Sequence, residues 1–126
     1  MARPGLTLDT GALVALERRD RRAGLFLAQA RNFGAKVTVP APVVVEWWRG
    51  QRGPLARVLD DMQVESLDRE LAEIAGVALA EVDGASVVDA VVMASAARRG
   101  DVVLTGDVDD LGRLQLYFPT VRILTI

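Results

Sequence analysis

The stretch Leu6-Thr7-Leu8-Asp9-Thr10-Gly11 constrains this chain more than any other: a short apolar run stops at a carboxylate, then resumes with apolar residues at Leu13 and Leu16. A run of that length suits a buried strand, and Asp-Thr-Gly suits a turn into a helix. Asp9 is thereby placed at the carboxyl end of an early strand, the edge where open α/β sheets collect their ligands. Three later acids, Glu46, Asp89 and Asp107, occupy equivalent-looking positions, so the four are expected to form one cluster.

The remainder alternates in the same manner. Thr10 to about Arg18 reads as a helix, Arg19–Arg22 as a charged corner, and Leu25, Leu27, Ala28, Ala30 and Phe33 as an amphipathic helix stopped by Gly34. Lys36–Val39 is a short strand ending at Pro40, and Ala41–Arg49 a helix entered through Pro42. Gly50–Gly53 breaks the chain, and Pro54 opens another helix at its first turn, where a missing N–H costs least. A third strand is expected over Gln63–Leu67, and a helix over Asp68–Val82 with apolar residues at Leu71, Ile74, Ala75, Ala78 and Leu79. Ser86 is the expected N-cap of a helix that Gly100 ends. Asp101–Thr105 reads as a buried strand, Asp109–Leu116 as a short helix and Val121–Ile126 as a last strand. Strands alternating with helices predict βα units around a largely parallel sheet covered on both faces. With no internal repeat or linker, residues 1–126 read as a single α/β domain, and 126 residues at 51% apolar suffice for one core.

The chain contains no cysteine and no histidine. Disulfides, thiolate and imidazole metal ligands, and Ser-His or Cys-His catalysis are excluded. Any metal site must be built from oxygen, which favours Mg²⁺ or Mn²⁺ over zinc. No apolar segment follows Met1–Gly5, and the stretch Ala85–Ala97 is too short for a membrane span, so a cytoplasmic protein without a membrane segment is expected. A net charge of −2 gives no global attraction to nucleic acid, so such binding needs local basic patches. Of the 15 basic residues all but Lys36 are arginine, which suits bidentate phosphate contacts but is equally a mark of GC-rich coding.

Each acid also has a plainer role. Asp9 would cap its helix, and Glu46 would pair with Arg49 or Arg98 on an exposed side. Asp89, Asp107 and Asp110 would be first-turn acids favoured by a helix dipole. Yet Glu46 and Asp89 sit in apolar surroundings where an unpartnered carboxylate costs several kcal/mol. Converging acids would repel one another unless a divalent cation lay among them. The run from Asp107 to Asp110 fails as a calcium loop because Phe118 stands where the bidentate Glu belongs. No glycine-rich phosphate loop occurs.

At four segments the chain resembles the PIN-domain ribonucleases, in particular the small VapC-like toxins of toxin–antitoxin pairs. Leu8–Leu13 is similar to the family's first acid at a strand end. Val43–Gly50 is similar to the second, a helical Glu with Arg-Gly after it. Asp89–Ala96 is similar to the third, an Asp-Ala pair opening an apolar helix, and Val103–Leu111 to the fourth, with Thr-x-Asp and a trailing Asp-Leu. The resemblance implies a three-layer α/β/α fold with a central parallel sheet of about five strands. It implies Mg²⁺- or Mn²⁺-dependent endonucleolytic cleavage of RNA, with Asp9, Glu46, Asp89 and Asp107 as catalytic and metal-binding residues, and leaves open whether Asp110 joins them; Thr105 would either orient a carboxylate or a metal-bound water, or serve as a capping hydroxyl. It further implies a homodimer and a cognate antitoxin. Trp47-Trp48 is bulkier than the family's usual aliphatic pair. Arg18, Arg19, Arg21, Arg22, Arg49, Arg52 and Arg57 are the candidate phosphate contacts, and an exposed tryptophan would stack single-stranded bases. The other role for the tryptophans is core or dimer packing.

Three rivals stand beside this reading. A response-regulator receiver would need a lysine at a late strand end, and the only lysine is Lys36. A DNA nuclease of the flap-endonuclease type would need long extra helices. A catalytically silent PIN-like module binding RNA or protein would use the same fold without the chemistry.

Overall fold

Short apolar runs separated by capped helices give the element order of the computed structural model, which describes residues 4–49 and 53–126 except the side chains of 53–56. In sequence these are β1 (Leu6–Leu8), α1 (Thr10–Glu17), α2 (Arg21–Asn32), β2 (Val37–Pro40), α3 (Ala41–Trp48), a 3₁₀ segment (Gly53–Asp61), β3 (Gln63–Glu65), α4 (Arg69–Glu81), α5 (Val87–Arg99), β4 (Val102–Thr105), α6 (Val108–Gln115) and β5 (Arg122–Thr125). Five helices begin at a side-chain cap: Asp9, Asp20, Asp68, Ser86 and Asp107 each accept a backbone N–H of the first turn. Gly100 closes α5 in the left-handed conformation, φ 74°.

The five strands form one parallel sheet in the order β3-β2-β1-β4-β5. Helices α1, α2 and α3 pack among themselves, as do α4, α5 and α6. Right-handed crossovers put the two groups on opposite faces, giving the three-layer α/β/α arrangement. Leu8 and Leu104, paired in register, point to one layer; Thr7, Val103 and Thr105 point to the other. Both layers are filled by fully buried aliphatics, among them Leu8, Leu13, Val39, Leu71, Met93 and Leu111.

The chain leaves β1 towards β2 but later returns to β1's other side as β4. The order therefore reverses between β1 and β4, and the crevice for a ligand opens at their carboxyl ends. No helix among the described residues is long and apolar enough to cross a membrane.

Several local expectations are corrected. Arg21 and Arg22 lie inside α2, because Asp20 caps that helix; only Arg19 turns the corner, with φ 58°. Leu25 and Phe33 are exposed, since α2 turns Ala23, Phe26, Leu27 and Ala30 to the sheet, an i, i+3, i+4, i+7 stripe that excludes both. The segment after Gly53 is 3₁₀, and β3 ends at Glu65 before Leu67. The expected break at Gly50–Gly53, and Arg52 within it, lie largely outside the described residues.

Candidate acidic site at the β1–β4 switch

The β1–α1 and β4–α6 turns meet because both carry glycine. A Cβ at Gly11 would lie 3.1 Å from the Gly106 nitrogen, tighter than side chains ordinarily approach backbone. This close approach brings Asp9 beside the end of β4. One Asp9 oxygen accepts the Ala12 N–H at 2.8 Å and the other accepts the Thr105 hydroxyl, so the carboxylate is oriented on both sides. Thr105 in turn accepts the Asp107 N–H at 2.9 Å, tying the fourth acid's backbone to the first acid's side chain.

Asp9 is buried, with 6% of its surface exposed, and burial is the main cause that raises its carboxyl pKa from 3.8 to about 6. The bonds from Thr105, Ala12 and Gly106 oppose that rise, while the charge on Asp89 adds to it. Asp89, in the first turn of α5, is half-buried and also raised: burial leads, the Ser86 bond opposes, and repulsion from Asp110, Glu46 and Asp107 contributes. The acids expected to cluster thus feel one another across the crevice.

They are not equally placed. Glu46 is exposed rather than buried, and it accepts the Thr10 hydroxyl; no arginine among the described residues pairs with it. Arg98, one of its expected partners, is committed to Glu65 and Asp68. Asp107 and Asp110 are exposed; Asp107 caps α6 by accepting the Asp110 N–H at 3.3 Å, and Asp110 pairs with Arg113 at 3.2 Å. Among the described residues, no three acidic side chains stand close enough to hold an ion as they are placed. Mg²⁺ often takes only one or two carboxylates and keeps several waters, so an all-oxygen set of mutually repelling acids around Asp9 and Asp89 fits its chemistry.

A polar network at the far end of α5 escaped the sequence reading. The Arg99 guanidinium bonds Glu65, Asp101 and Thr7 together, Ser95 donates to Glu65 at 2.6 Å, and Thr7 donates to Asp101 at 2.8 Å. Asp101 and Thr7 are buried, and every buried polar side-chain atom among the described residues has a partner. The available signals were Thr7 between two strand leucines and the Arg98-Arg99-Gly100-Asp101 run. Neither identified Glu65, 34 positions away, as the partner.

Trp47 is core, its indole N–H donating to Glu17 at 2.8 Å; Trp48 is 47% exposed and stands edge-on to it.

No curated protein matches the chain by sequence. Solved structures do match its fold. A chain of VapBC2 from Rickettsia felis, determined bound to a DNA fragment from its promoter, superposes with a TM-score of 0.79 at 12% identity, covering 96% of this chain and 98% of that one. FitAB bound to an IR36 DNA fragment gives 0.65 at 17% identity, over 95% and 94% of the two chains. PAE2754 from Pyrobaculum aerophilum gives 0.61 at 19%, over 95% and 90%. The family model for the PIN domain spans residues 6–115, from the first residue of β1 to the last of α6, and so takes in all four acids. The chain belongs to the PIN-domain family.

Proposed function

We propose that this protein is a divalent-metal-dependent endoribonuclease, the toxin of a cytoplasmic toxin–antitoxin pair. The observation that carries the reading is a buried carboxylate, Asp9, oriented by Thr105 and Ala12 at the sheet's switch point and facing a second raised acid, Asp89. PIN domains are generally nucleases, and an arrangement that raises two neighbouring carboxyls is costly unless a ligand compensates it.

Asp9, Glu46, Asp89 and Asp107 would hold Mg²⁺ or Mn²⁺. When bound, the cation supplies charge compensation and the Lewis acidity that promotes attack of water on a phosphodiester and departure of the 3′ oxygen. The chain's own part is orientation. Thr105 holds the Asp9 carboxylate, Thr10 holds Glu46, and Ser86 steadies Asp89. Asp110, beside Asp89 and anchored by Arg113, adds negative charge at the rim. With no histidine in the chain, imidazole base catalysis is not available as an alternative.

The solved complexes VapBC2 and FitAB support a partnered protein, and we extend that arrangement to this chain as a homodimer bound by a cognate antitoxin.

The test is cleavage of a panel of structured RNAs by the wild type and by Asp9→Asn, with Mg²⁺, with Mn²⁺ and with EDTA. Cleavage by the wild type alone, and only with metal, is expected. Equal cleavage in EDTA would contradict the metal requirement. Binding without cleavage by both proteins would favour the catalytically silent module.

A further inference from the structure

We infer that Arg113 is a positioning residue of the acidic site: its guanidinium ties Asp110 on α6 to the turn between α4 and α5, and so holds Asp110 where it can share a divalent cation with Asp89. The inference rests on the metal-dependent reading and adds to it a fifth carboxylate, together with the group that places it.

An Asp–Arg pair three residues apart on a helix is ordinary and, when exposed, adds little stability. This pair has a third member from another element. The Arg113 nitrogen that meets Asp110 at 3.2 Å also donates a long bond, 3.5 Å, to the Gly84 carbonyl. The contact is chiefly packing. A Cβ at Gly84 would lie 2.7 Å from one guanidinium nitrogen, 3.5 Å from the central carbon and 3.9 Å from the other nitrogen, so the flat group lies across the glycine. Gly84 has φ 78°, a conformation that favours glycine, and its turn leads within two residues to Ser86, the cap of α5. Asp89 follows in the first turn of that helix. Arg113 therefore joins the two helices whose amino ends carry Asp89 and Asp110.

The choice of partner is selective. Glu81 and Asp83 line the same depression as Arg113, yet its ion pair among the described residues is with Asp110. Asp110 is held twice, its N–H by the Asp107 carboxylate at 3.3 Å and its side chain by Arg113. Arg113 takes one Asp110 oxygen. The other makes no hydrogen bond among the described residues and is left to a cation or to the waters around one. Of the carboxylates that repel Asp89, Asp110 acts most strongly, ahead of Glu46 and Asp107. Where Asp110 stands therefore decides how much negative charge gathers beside Asp89. A guanidinium on a carboxylate has two effects of opposite sign on cation binding: orienting the carboxylate strengthens it, and the added positive charge weakens it. That opposition makes the role measurable.

The test is equilibrium binding of Mn²⁺ to the full chain without RNA, read from the electron paramagnetic resonance signal of the free ion. The proteins are the wild type, Arg113→Gln, Asp110→Asn, the double variant of these two, and Gly84→Asn. Positioning predicts that Arg113→Gln weakens Mn²⁺ binding by about tenfold, the scale of losing a group that orients a metal-binding carboxylate. Its metal-free melting temperature should stay within about 2 °C of the wild type, as for loss of an exposed pair, so the weaker binding is not a loss of fold. Asp110→Asn should weaken binding at least as much, and the double variant no further, because Arg113 acts through Asp110. Asn tolerates a positive φ and brings the Cβ that dislodges the guanidinium, so Gly84→Asn should weaken binding with both charged side chains intact. Unchanged or tighter binding by Arg113→Gln would overturn the inference, since Arg113 would then count only as a charge. So would a loss from Arg113→Gln that persists in full when Asp110 is already Asn. Wild-type affinity in Gly84→Asn would overturn the tie to the α4–α5 turn. The two readings fail separately: each of these results leaves a wild type that binds Mn²⁺ and the ribonuclease standing. A wild type that binds no Mn²⁺ contradicts both.

Discussion

The two ends of α5 handle buried charge in opposite ways. At its carboxyl end, Arg98 and Arg99 are met by Glu65, Asp68 and Asp101, with Thr7 and Ser95 filling the remaining bonds. At its amino end, Asp89 faces Asp9, Glu46, Asp107 and Asp110, and among the described residues the one arginine bonded to this group is Arg113, out on Asp110. The first arrangement is electrically closed and belongs to folding. The second is open, and an open charge cluster kept by a fold is the physical mark of a site that expects a ligand. The pKa directions follow suit: Glu65 is lowered despite its burial, through its bonds to Ser95 and the arginines, whereas Asp9 and Asp89 are raised.

The sharpest break in this comparison is at the open end. Asp89→Asn should reduce metal-dependent RNA cleavage by about 10³-fold, the scale of losing one preorganised electrostatic group. The fold should survive, because Asn is isosteric and the Ser86 cap remains. Melting curves beside the cleavage assay would show whether activity fell alone.

At the closed end the effect should fall on stability. Arg99→Met leaves the buried Asp101 with Thr7 but no cation, and leaves Glu65 to Arg98 and Ser95; it should cost about 3 kcal/mol in denaturant unfolding, as removing one partner of a buried pair does. A loss below about 1 kcal/mol would mean that the network is loose.

Asp9→Asn should act in the other direction on the metal-free protein. An acid whose folded-state pKa is raised penalises the fold while it is ionised. Asp9 is ionised in both states above about 6 and neutral in both below 3.8, so the penalty is full at neutral pH and relieved as pH falls through that window. The substitution should therefore raise metal-free stability at pH 8 by at most about 3 kcal/mol, with the gain gone near pH 4. Glu65 has the opposite sign: its contribution is full above 4.5 and is lost on further acidification. A metal-free melting temperature that peaks in mildly acid solution follows. Monotonic rise from pH 4 to 8 would go against it.

A smaller change is expected from Thr105→Val, which keeps the shape but removes the hydroxyl joining Asp9 to the Asp107 backbone. About a tenfold loss of cleavage, with about 1 kcal/mol of stability, is the scale for one hydrogen bond to a charged group.

Much of this was legible in the sequence because it is local. The apolar runs ending at Asp9 and Asp107, the Ser86 cap and the Gly100 stop each act within a few residues, and the order of elements followed. What was hidden is non-local. Glu46 was expected among apolar neighbours, but α3 buries Val43 and Trp47 and turns Glu46 outward. The partnership of Arg99 with Glu65 depends on how α5 crosses the sheet, and that of Gly11 with Gly106 on two turns meeting in space. Leu25 shows the limit of counting apolar residues without phase, since one step around the helix separates core from solvent.

The most direct measurement of the open end is the melting temperature of the wild type and Asp9→Asn at pH 8 during titration with Mn²⁺. Relief of like-charge repulsion predicts a wild type that rises with Mn²⁺ until it meets or passes the variant, which itself starts higher and responds less. If Mn²⁺ leaves both curves unmoved, or moves them equally, the acids at the β1–β4 switch are not a cation site and the account fails at its centre.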